Sequence, residues 1–271
     1  MKIAGYLEGD RIMVGAVAAD GAVTPLGERD AFWVRPSAAV PQGAAIGMLA
    51  DLRERPAIPT GARVICVGLN YRLHAQETGS PIPTVPVIFS RWTRSLTTDG
   101  QPVPKIEDKF DWEVEIGAVI GRRVFRVTAD QAVAGIFGYV AFNDLSGRSF
   151  QRQTPQWTMG KNSDASGPMS PVVTADEVGD PAAGLRLTTH VNGELRQDST
   201  TADMIFSVPE IIAHVSQVMT LEPGDLIITG TPAGVGLATG TFLDAGDEVV
   251  IEVERIGRVR TPIVPPPAPI F

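Results

Sequence analysis

Two glutamates separated by one residue, Glu113 and Glu115, have the spacing in this chain that points most directly to chemistry. Apolar and polar residues alternate over residues 110–117, which is typical of a β-strand and places both carboxylates on one face, with Cα atoms about 7 Å apart. The strand continues as Gly-Ala-Val-Ile-Gly, which predicts burial on both faces. Two carboxylates entering a core need a proton, a cationic side chain or a metal ion, and we favour a divalent metal.

The same tripeptide recurs as Glu252-Val-Glu254, and this second copy serves as an internal comparison. Arg255, Arg258 and Arg260 follow it, as expected for a solvated strand face with mixed charges. Because the two copies have the same spacing, the spacing taken alone favours an exposed polar strand face for both. The metal interpretation of the first copy therefore depends on other parts of the chain.

Asp144 supplies a third carboxylate. It follows residues 138–143, which read as the next strand after the two glutamates. Three carboxylates on two strands, with positions left for water and substrate, suit Mg²⁺ or Mn²⁺ and not zinc.

His74 and Glu77 are three residues apart in a short predicted helix that Asn70 can cap and Gly79 can end. A carboxylate beside an imidazole fixes its tautomer and raises its basicity, as a general base acting on water requires. A surface pair of the same spacing is an equally good interpretation from these residues alone.

Several other polar residues could contact an anion. Lys161 lies in a tight polar loop, where it could bind an anion or an oxyanion, while Arg148 and Gln151 share a helical face. Gly160-Lys161 is not a P-loop, because Pro155 replaces the required earlier glycine and Asn162 replaces the Ser/Thr. Residues 231–236 form a glycine-rich loop whose backbone amides we expect to approach an oxyanionic ligand.

Composition limits the class of protein. A length of 271 residues with 44% hydrophobic content is enough for a full core, and 28 glycines with 22 prolines favour many short strands, so a mainly β or α+β fold. The net charge of −8 argues against nucleic-acid or membrane partners, and no apolar run is long enough to span a bilayer. The single Cys66 excludes a disulfide framework and a thiolate zinc site. We expect a cytoplasmic protein.

The order of the motifs closely resembles the fumarylacetoacetate hydrolase superfamily, in its shorter acylpyruvase and fumarylpyruvate hydrolase-like form. The matching segments are 67–79, 86–89, 111–115, 143–148, 160–161 and 220–236. The resemblance implies an α+β, mainly β fold, a mixed β-roll or sandwich, over residues 59–264. It also implies a small β-rich accessory domain over residues 1–58, followed by a Pro-rich tail over residues 265–271.

The resemblance also implies roles for individual residues and a homodimer that holds Mg²⁺ or Mn²⁺. Glu113, Glu115 and Asp144 match the metal ligands. The residues that match the catalytic positions are His74, Glu77 and Lys161, and those that match substrate contacts are Arg148, Gln151, Thr231, Tyr71 and Arg91. Two positions depart from the usual pattern, since Arg91 stands where a lysine is common and Ser149 replaces an aspartate.

The implied substrate is a small keto acid. A 2,4-dioxo acid would chelate the metal, His74 oriented by Glu77 would activate water, and Lys161 would stabilise the oxyanion. Carbon–carbon cleavage would then release a metal-stabilised pyruvate enolate. The same site would also serve isomerisation or decarboxylation of a hydroxymuconate-type diacid, or decarboxylation of oxaloacetate. A member without activity that only binds keto acids is the other alternative.

Overall fold

The computed structural model describes residues 1–269, and strands dominate this part of the chain. The strands are β1 (Lys2–Glu8), β2 (Arg11–Val17), β3 (Ala22–Glu28), β4 (Gly47–Met48), β5 (Glu54–Arg55), β6 (Val64–Gly68), β7 (Val87–Arg91), β8 (Leu96–Thr98), β9 (Val103–Pro104), β10 (Phe110–Asp111), β11 (Val114–Ile120), β12 (Ile136–Asn143), β13 (Ser146–Gly147), β14 (Gly167–Met169), β15 (Val172–Thr174), β16 (Arg186–Val191), β17 (Glu194–Thr200), β18 (Leu226–Ile228), β19 (Glu248–Val253) and β20 (Gly257–Val264).

The helices are short. They are α1 (Arg29–Val34), α2 (Arg72–Glu77), α3 (Ala129–Val133), α4 (Arg148–Gln151), α5 (Thr158–Lys161), α6 (Ala175–Val178), α7 (Val208–Ser216) and α8 (Gly236–Thr239), with single 3-10 turns at Pro36–Ala38, Leu49–Asp51, Thr93–Ser95, Pro181–Ala183 and Thr201–Asp203. A capping box between Ser207 and Glu210 starts α7. Even α7, at nine residues, is far too short to cross a bilayer, and this holds for every helix of residues 1–269.

Two sheets form the body of the molecule. The larger sheet has the strand order β4-β3-β2-β1-β15-β12-β11-β18-β6-β7, with β14, β8 and β5 attached beside this path. The smaller sheet has the order β17-β16-β19-β20-β9, and β10 and β13 form a separate pair. The predicted mainly β, α+β class is confirmed.

Strand β11 is buried along its whole length because both of its faces meet apolar layers. Ile116 and Ala118 belong to a core shared with Leu187 and Ile251 of the smaller sheet. Val119, on the opposite face, belongs to a second core. This burial on both sides is what the continuous apolar run predicts.

Close neighbours of β11 leave no room for a side chain at Gly117. A Cβ there would lie 2.7 Å from Val140 Cγ2 and 2.9 Å from Ile228 Cδ1. The glycine therefore allows the strands beside β11 to pack tightly immediately beyond the two glutamates.

The N-terminal strands extend the larger sheet. Lys2 and Ile3 of β1 pair antiparallel with Val173 and Val172 of β15. Phe32 and Trp33 of α1 pack in the same core as the central strands. The division of the chain near residue 58 stays a prediction, although the hydrogen-bonded sheet is continuous across it.

The predicted Pro-rich tail, residues 265–271, follows directly on β20. Residues 265–269 form neither helix nor strand, and residues 270 and 271 lie outside the described part of the chain.

Candidate functional site

Three carboxylates converge where β11 begins and β12 ends. Glu113 precedes β11, Glu115 lies within it, and Asp144 directly follows β12. The antiparallel register pairs Val114 with Asn143, and the amide of Asp144 donates to the carbonyl of Glu113 at 2.8 Å. One oxygen of each carboxylate lies within 4.8 Å of the others, and all three residues are buried. Strand pairing thus builds the acidic triad that the sequence predicts.

Three buried cations surround this triad. Lys161 Nζ donates to Glu113 Oε2 at 2.8 Å and to Asp144 Oδ2 at 2.5 Å. Arg148 Nη1 lies 2.6 Å from Glu113 Oε1, and Arg91 Nε donates to Asp144. Glu113 and Asp144 are therefore each paired with two cationic side chains.

These pairs keep the partners charged despite their burial. Burial raises the pKa of Glu113, but the nearby Lys161 and Arg148 cations outweigh it and lower that pKa to about 2. Burial disfavours the charged form of Lys161, but Asp144 and Glu113 outweigh it and raise the pKa of the ammonium group.

Glu115 is the member of the triad that lacks a countercharge. Its Oε2 accepts from the amide of Gly230 at 2.5 Å, and within residues 1–269 no lysine or arginine nitrogen lies within 4.0 Å of its carboxylate. Burial, followed by the charges of Asp144 and Glu113, raises its pKa well above the usual range. A divalent cation would supply the missing charge, and three oxygen donors suit a hard cation, so the residues fit such an ion.

His74 and Glu77 form the predicted pair on α2. Nδ1 of His74 lies 3.0 Å from Oε2 of Glu77, and Oε1 of Glu77 accepts from the amide of Gly234 at 2.9 Å. A carboxylate that accepts from Nδ1 leaves Nε2 as the basic nitrogen. His74 lines the same cavity as Glu113 and Glu115.

This cavity has a volume of about 240 Å³. Its lining includes the charged residues Glu113, Glu115 and Lys161 and the aromatic residues Phe89 and Trp157. Sites for drug-sized ligands occupy ~300–1,000 Å³, so this space suits a small molecule.

Arg148, Gln151 and Thr231 also line the cavity. Nη1 of Arg148 donates to Gln151 Oε1 at 3.0 Å, whereas its Nη2 is buried and has no hydrogen-bond partner in the described part of the chain. The Thr231 hydroxyl donates to the carbonyl of Val114 and accepts from Gln197 Nε2, both at 2.9 Å. Arg148 therefore has a donor left for a ligand, and so does Gln151, whose side-chain Nε2 makes no hydrogen bond within residues 1–269.

The structure places Arg91 and Tyr71 outside the cavity lining. Beyond its bond to Asp144, the Arg91 guanidinium donates to the carbonyl of Leu145 at 2.6 Å and to Ser166 Oγ at 2.9 Å. Tyr71 is fully buried, and burial followed by the charge of Glu115 raises its pKa well above the usual range. This geometry assigns Arg91 to holding Asp144, not to a direct substrate contact.

The amides of the glycine-rich loop bind carboxylates of the protein itself. Those of Gly230 and Gly234 donate to Glu115 and Glu77, as described above, and those of Gly236 and Leu237 donate to Asp111 at 2.7 and 2.8 Å. Gly230 and Leu237 flank the predicted loop, residues 231–236, whereas Gly234 and Gly236 belong to it, so the expectation that loop amides approach a ligand oxyanion is wrong for these two residues. Its role is to fix the acidic side chains around the site.

Asp111 is a site residue that the sequence reasoning did not assign. It is fully buried, and its Oδ2 accepts from Arg148 Nε at 2.7 Å. The sequence feature that could have identified Asp111 is its position two residues before Glu113 in the same alternating segment. The second glutamate pair behaves as predicted, since Glu252 and Glu254 are exposed on β19 and in the turn after it.

The fold and the acidic triad define the class as a mainly β protein with a site suited to a divalent metal ion. The chain belongs to the fumarylacetoacetate hydrolase family, because residues 63–264 match the family model for the fumarylacetoacetate (FAA) hydrolase C-terminal region. This family consists of enzymes that act on small molecules.

Three similar proteins have different activities in their names. The chain is 41% identical over 209 residues to the mitochondrial oxaloacetate tautomerase FAHD2B of Bos taurus, a match that covers 74% of this chain and 66% of that protein. The 5-carboxymethyl-2-hydroxymuconate delta-isomerase from Mycobacterium smegmatis has a similar structure, with a TM-score of 0.81, 33% identity, and coverage of 99% of this chain and 100% of that one. The fumarylpyruvate hydrolase from Pseudomonas aeruginosa, in complex with Mn²⁺ and pyruvate, gives a TM-score of 0.69 at 29% identity, covering 77% of this chain and 91% of that one.

Proposed function

We propose that this protein is an Mg²⁺- or Mn²⁺-dependent hydrolase that cleaves a carbon–carbon bond in a 2,4-dioxo acid of the acylpyruvate or fumarylpyruvate type. The observation that carries the proposal is that His74, oriented by Glu77, lines the same cavity as Glu113 and Glu115. A general base that could act on water and a site for a divalent cation therefore face the same small cavity.

Glu113, Glu115 and Asp144 would hold the cation, which when bound would act as a Lewis acid on the oxygens of the keto acid. The buried Nη2 of Arg148 is the donor available for the substrate carboxylate. The ammonium group of Lys161 has three N–H donors and uses two of them on Glu113 and Asp144, so the third can donate to a substrate oxygen.

The reaction follows from these positions. Nε2 of His74 takes a proton from water, and the water oxygen bonds to the 4-keto carbon. Lys161 stabilises the charge that develops on the keto oxygen. The bond between C3 and C4 then breaks, its electron pair passes to the pyruvate fragment, and the proton on His74 is returned to C3. The products are pyruvate and a carboxylic acid.

A second candidate is supported by the similarity to the oxaloacetate tautomerase and to the isomerase. Tautomerisation of oxaloacetate needs only the movement of a proton between C3 and the 2-oxygen, which His74 could perform without water addition. Isomerisation or decarboxylation of a hydroxymuconate-type diacid, or decarboxylation of oxaloacetate, would use the same residues.

A panel of substrates separates these functions. Purified protein with Mg²⁺ or Mn²⁺ is supplied with acylpyruvates, fumarylpyruvate, oxaloacetate and hydroxymuconates, and pyruvate release and loss of enol absorbance are followed together. We expect equal amounts of pyruvate and acid from an acylpyruvate, with loss of turnover in EDTA. Enol decay without pyruvate would contradict the hydrolase and support the tautomerase, and absence of all turnover would support a keto-acid binder.

The homodimer and the cytoplasmic location stay predictions. Light scattering coupled to size-exclusion chromatography tests the first, with an expected mass of twice 28.8 kDa.

A further inference from the structure

Arg152 lies one helical turn beyond Arg148 on the same side of α4. Its amide donates to the carbonyl of Arg148 at 3.2 Å, which continues the helical pattern by one residue. Residues four apart in a helix share a face and are separated by about 6 Å along the axis. Both arginines line the cavity, but Arg148 is buried whereas Arg152 is exposed. The two guanidinium groups therefore mark an inner and an outer position of the same cavity.

The two arginines differ in their partners. Arg148 is paired with Asp111 and Glu113, and Lys161 is likewise held by two carboxylates. Within residues 1–269, no carboxylate oxygen lies within 4.0 Å of Arg152. Three arginines and lysines line this cavity within the described residues, and Arg152 is the one whose positive charge has no carboxylate partner.

This charge stands out against the rest of the molecule. The chain carries a net charge of −8, which repels an approaching dianion. Phe89 and Trp157 are apolar residues of the lining, and Trp157 packs on Gly68, where a Cβ would lie 2.2 Å from Cζ3 of the indole ring. A second carboxylate on the substrate would therefore find one favourable position in the outer part of the cavity, at Arg152.

We propose that Arg152 binds the distal carboxylate of the substrate and makes the site selective for 2-oxo dicarboxylates over 2-oxo acids with a neutral tail. This proposal rests on the proposed function only in assuming that the proximal carboxylate and keto oxygen sit at the acidic triad and Arg148. The proposal selects the dicarboxylate members of the substrate class.

Binding to the Mg²⁺-loaded protein tests selectivity without relying on turnover. The dissociation constants of 2-oxoglutarate, a dicarboxylate, and of 2-oxobutyrate, with its neutral tail, are measured by calorimetry for the wild type, Arg152→Gln and Arg152→Lys. We expect Arg152→Gln to reduce the ratio of the two affinities about 10-fold, and Arg152→Lys to restore most of it. Arg53→Gln replaces an exposed arginine immediately before β5, and as the matched control it should leave the ratio as it is.

The dependence of binding on ionic strength provides a second test of the role of Arg152. The wild-type preference for the diacid should fall several-fold between 20 and 300 mM KCl, while Arg152→Gln should show little salt dependence. An equal loss of affinity for both probes in Arg152→Gln, or an unchanged ratio, would overturn the role of Arg152 alone. A wild-type protein that binds neither probe would overturn the proposed function and this proposal with it.

Discussion

The carboxylate of Asp111 joins Arg148 to the glycine-rich loop. Its Oδ2 accepts from Arg148 Nε at 2.7 Å and from the amide of Leu237. Its Oδ1 accepts from the amide of Gly236. Because Arg148 in turn contacts Glu113, two buried side chains, Asp111 and Arg148, connect the loop to the acidic triad. Asp111 is a positioning residue, since it does not line the cavity.

The variant Asp111→Asn tests this link. Asparagine keeps the shape but removes the charge and turns a donor towards Arg148, so we expect the KM for a keto acid to rise at least 10-fold. The loss of stability should be about 3 kcal/mol, as for a broken buried ion pair. Asp198→Asn is the matched control, because Asp198 forms an exposed pair with Arg186 at 2.8 Å and should contribute about 0–1 kcal/mol. Equal urea midpoints and KM values in the two variants would contradict the assignment.

Removal of Glu115 is the cleanest test of the metal site. Glu115 has no cationic partner among the described residues, so Glu115→Gln leaves no buried arginine or lysine uncompensated. We expect loss of Mn²⁺ binding, measured by calorimetry, with the fold retained. Glu252→Gln, from the exposed copy of the same tripeptide, should bind Mn²⁺ as the wild type does. Wild-type affinity in Glu115→Gln would remove this residue from the site.

His74→Asn separates catalysis from metal binding. The side chain that we propose activates water is lost, and general-base catalysis typically contributes about 10²–10⁴-fold, so kcat should fall by at least about 100-fold. Mn²⁺ affinity should stay within twofold, since His74 is not one of the three carboxylates. His214→Asn, on the exposed face of α7, provides the control. Undiminished cleavage in His74→Asn would exclude the pair from the mechanism.

Glu54 should make folding stability depend on pH. Burial, followed by the nearby charge of Asp99, raises its pKa from 4.5 to about 7. The folded protein therefore binds this proton more tightly than the unfolded chain does, and stability falls as pH rises from 4.5 to about 7. The loss is at most about 3 kcal/mol. In guanidinium titrations at pH 5 and pH 8, Glu54→Gln should lose this fall, whereas the exposed Glu8→Gln should keep it. Equal pH dependence in the wild type and Glu54→Gln would exclude Glu54 as its source.

Strand pattern was sufficient to bring the three carboxylates together, although their interpretation as a metal site depended on other parts of the chain. Strand alternation placed Glu113 and Glu115 on one face, and the next strand ended at Asp144, so antiparallel pairing of neighbouring strands brought all three together. The short spacing of His74 and Glu77 was similarly readable, because a helical turn fixes that geometry without help from the rest of the fold.

Long-range contacts were not readable in the same way. Arg91 reaches Asp144 across 53 positions of sequence, and the loop amides reach Asp111 across more than 120. A positively charged residue near a predicted site can bind substrate or hold a ligand in place, and only the three-dimensional arrangement distinguishes these roles. The glycine-rich loop was misjudged for the same reason, because its carboxylate partners lie far away in the chain.

The pairing of β1 with β15 has a consequence for the remainder of the molecule. Without the N-terminal strands, β15 would become a free edge with unpaired amides and carbonyls, and Phe137 would lose its edge-to-face ring contacts with Phe32 and Trp33. Exposed edges of this kind recruit strands from other molecules. We therefore expect the N-terminal segment to protect the larger sheet against aggregation, although none of its side chains lines the cavity.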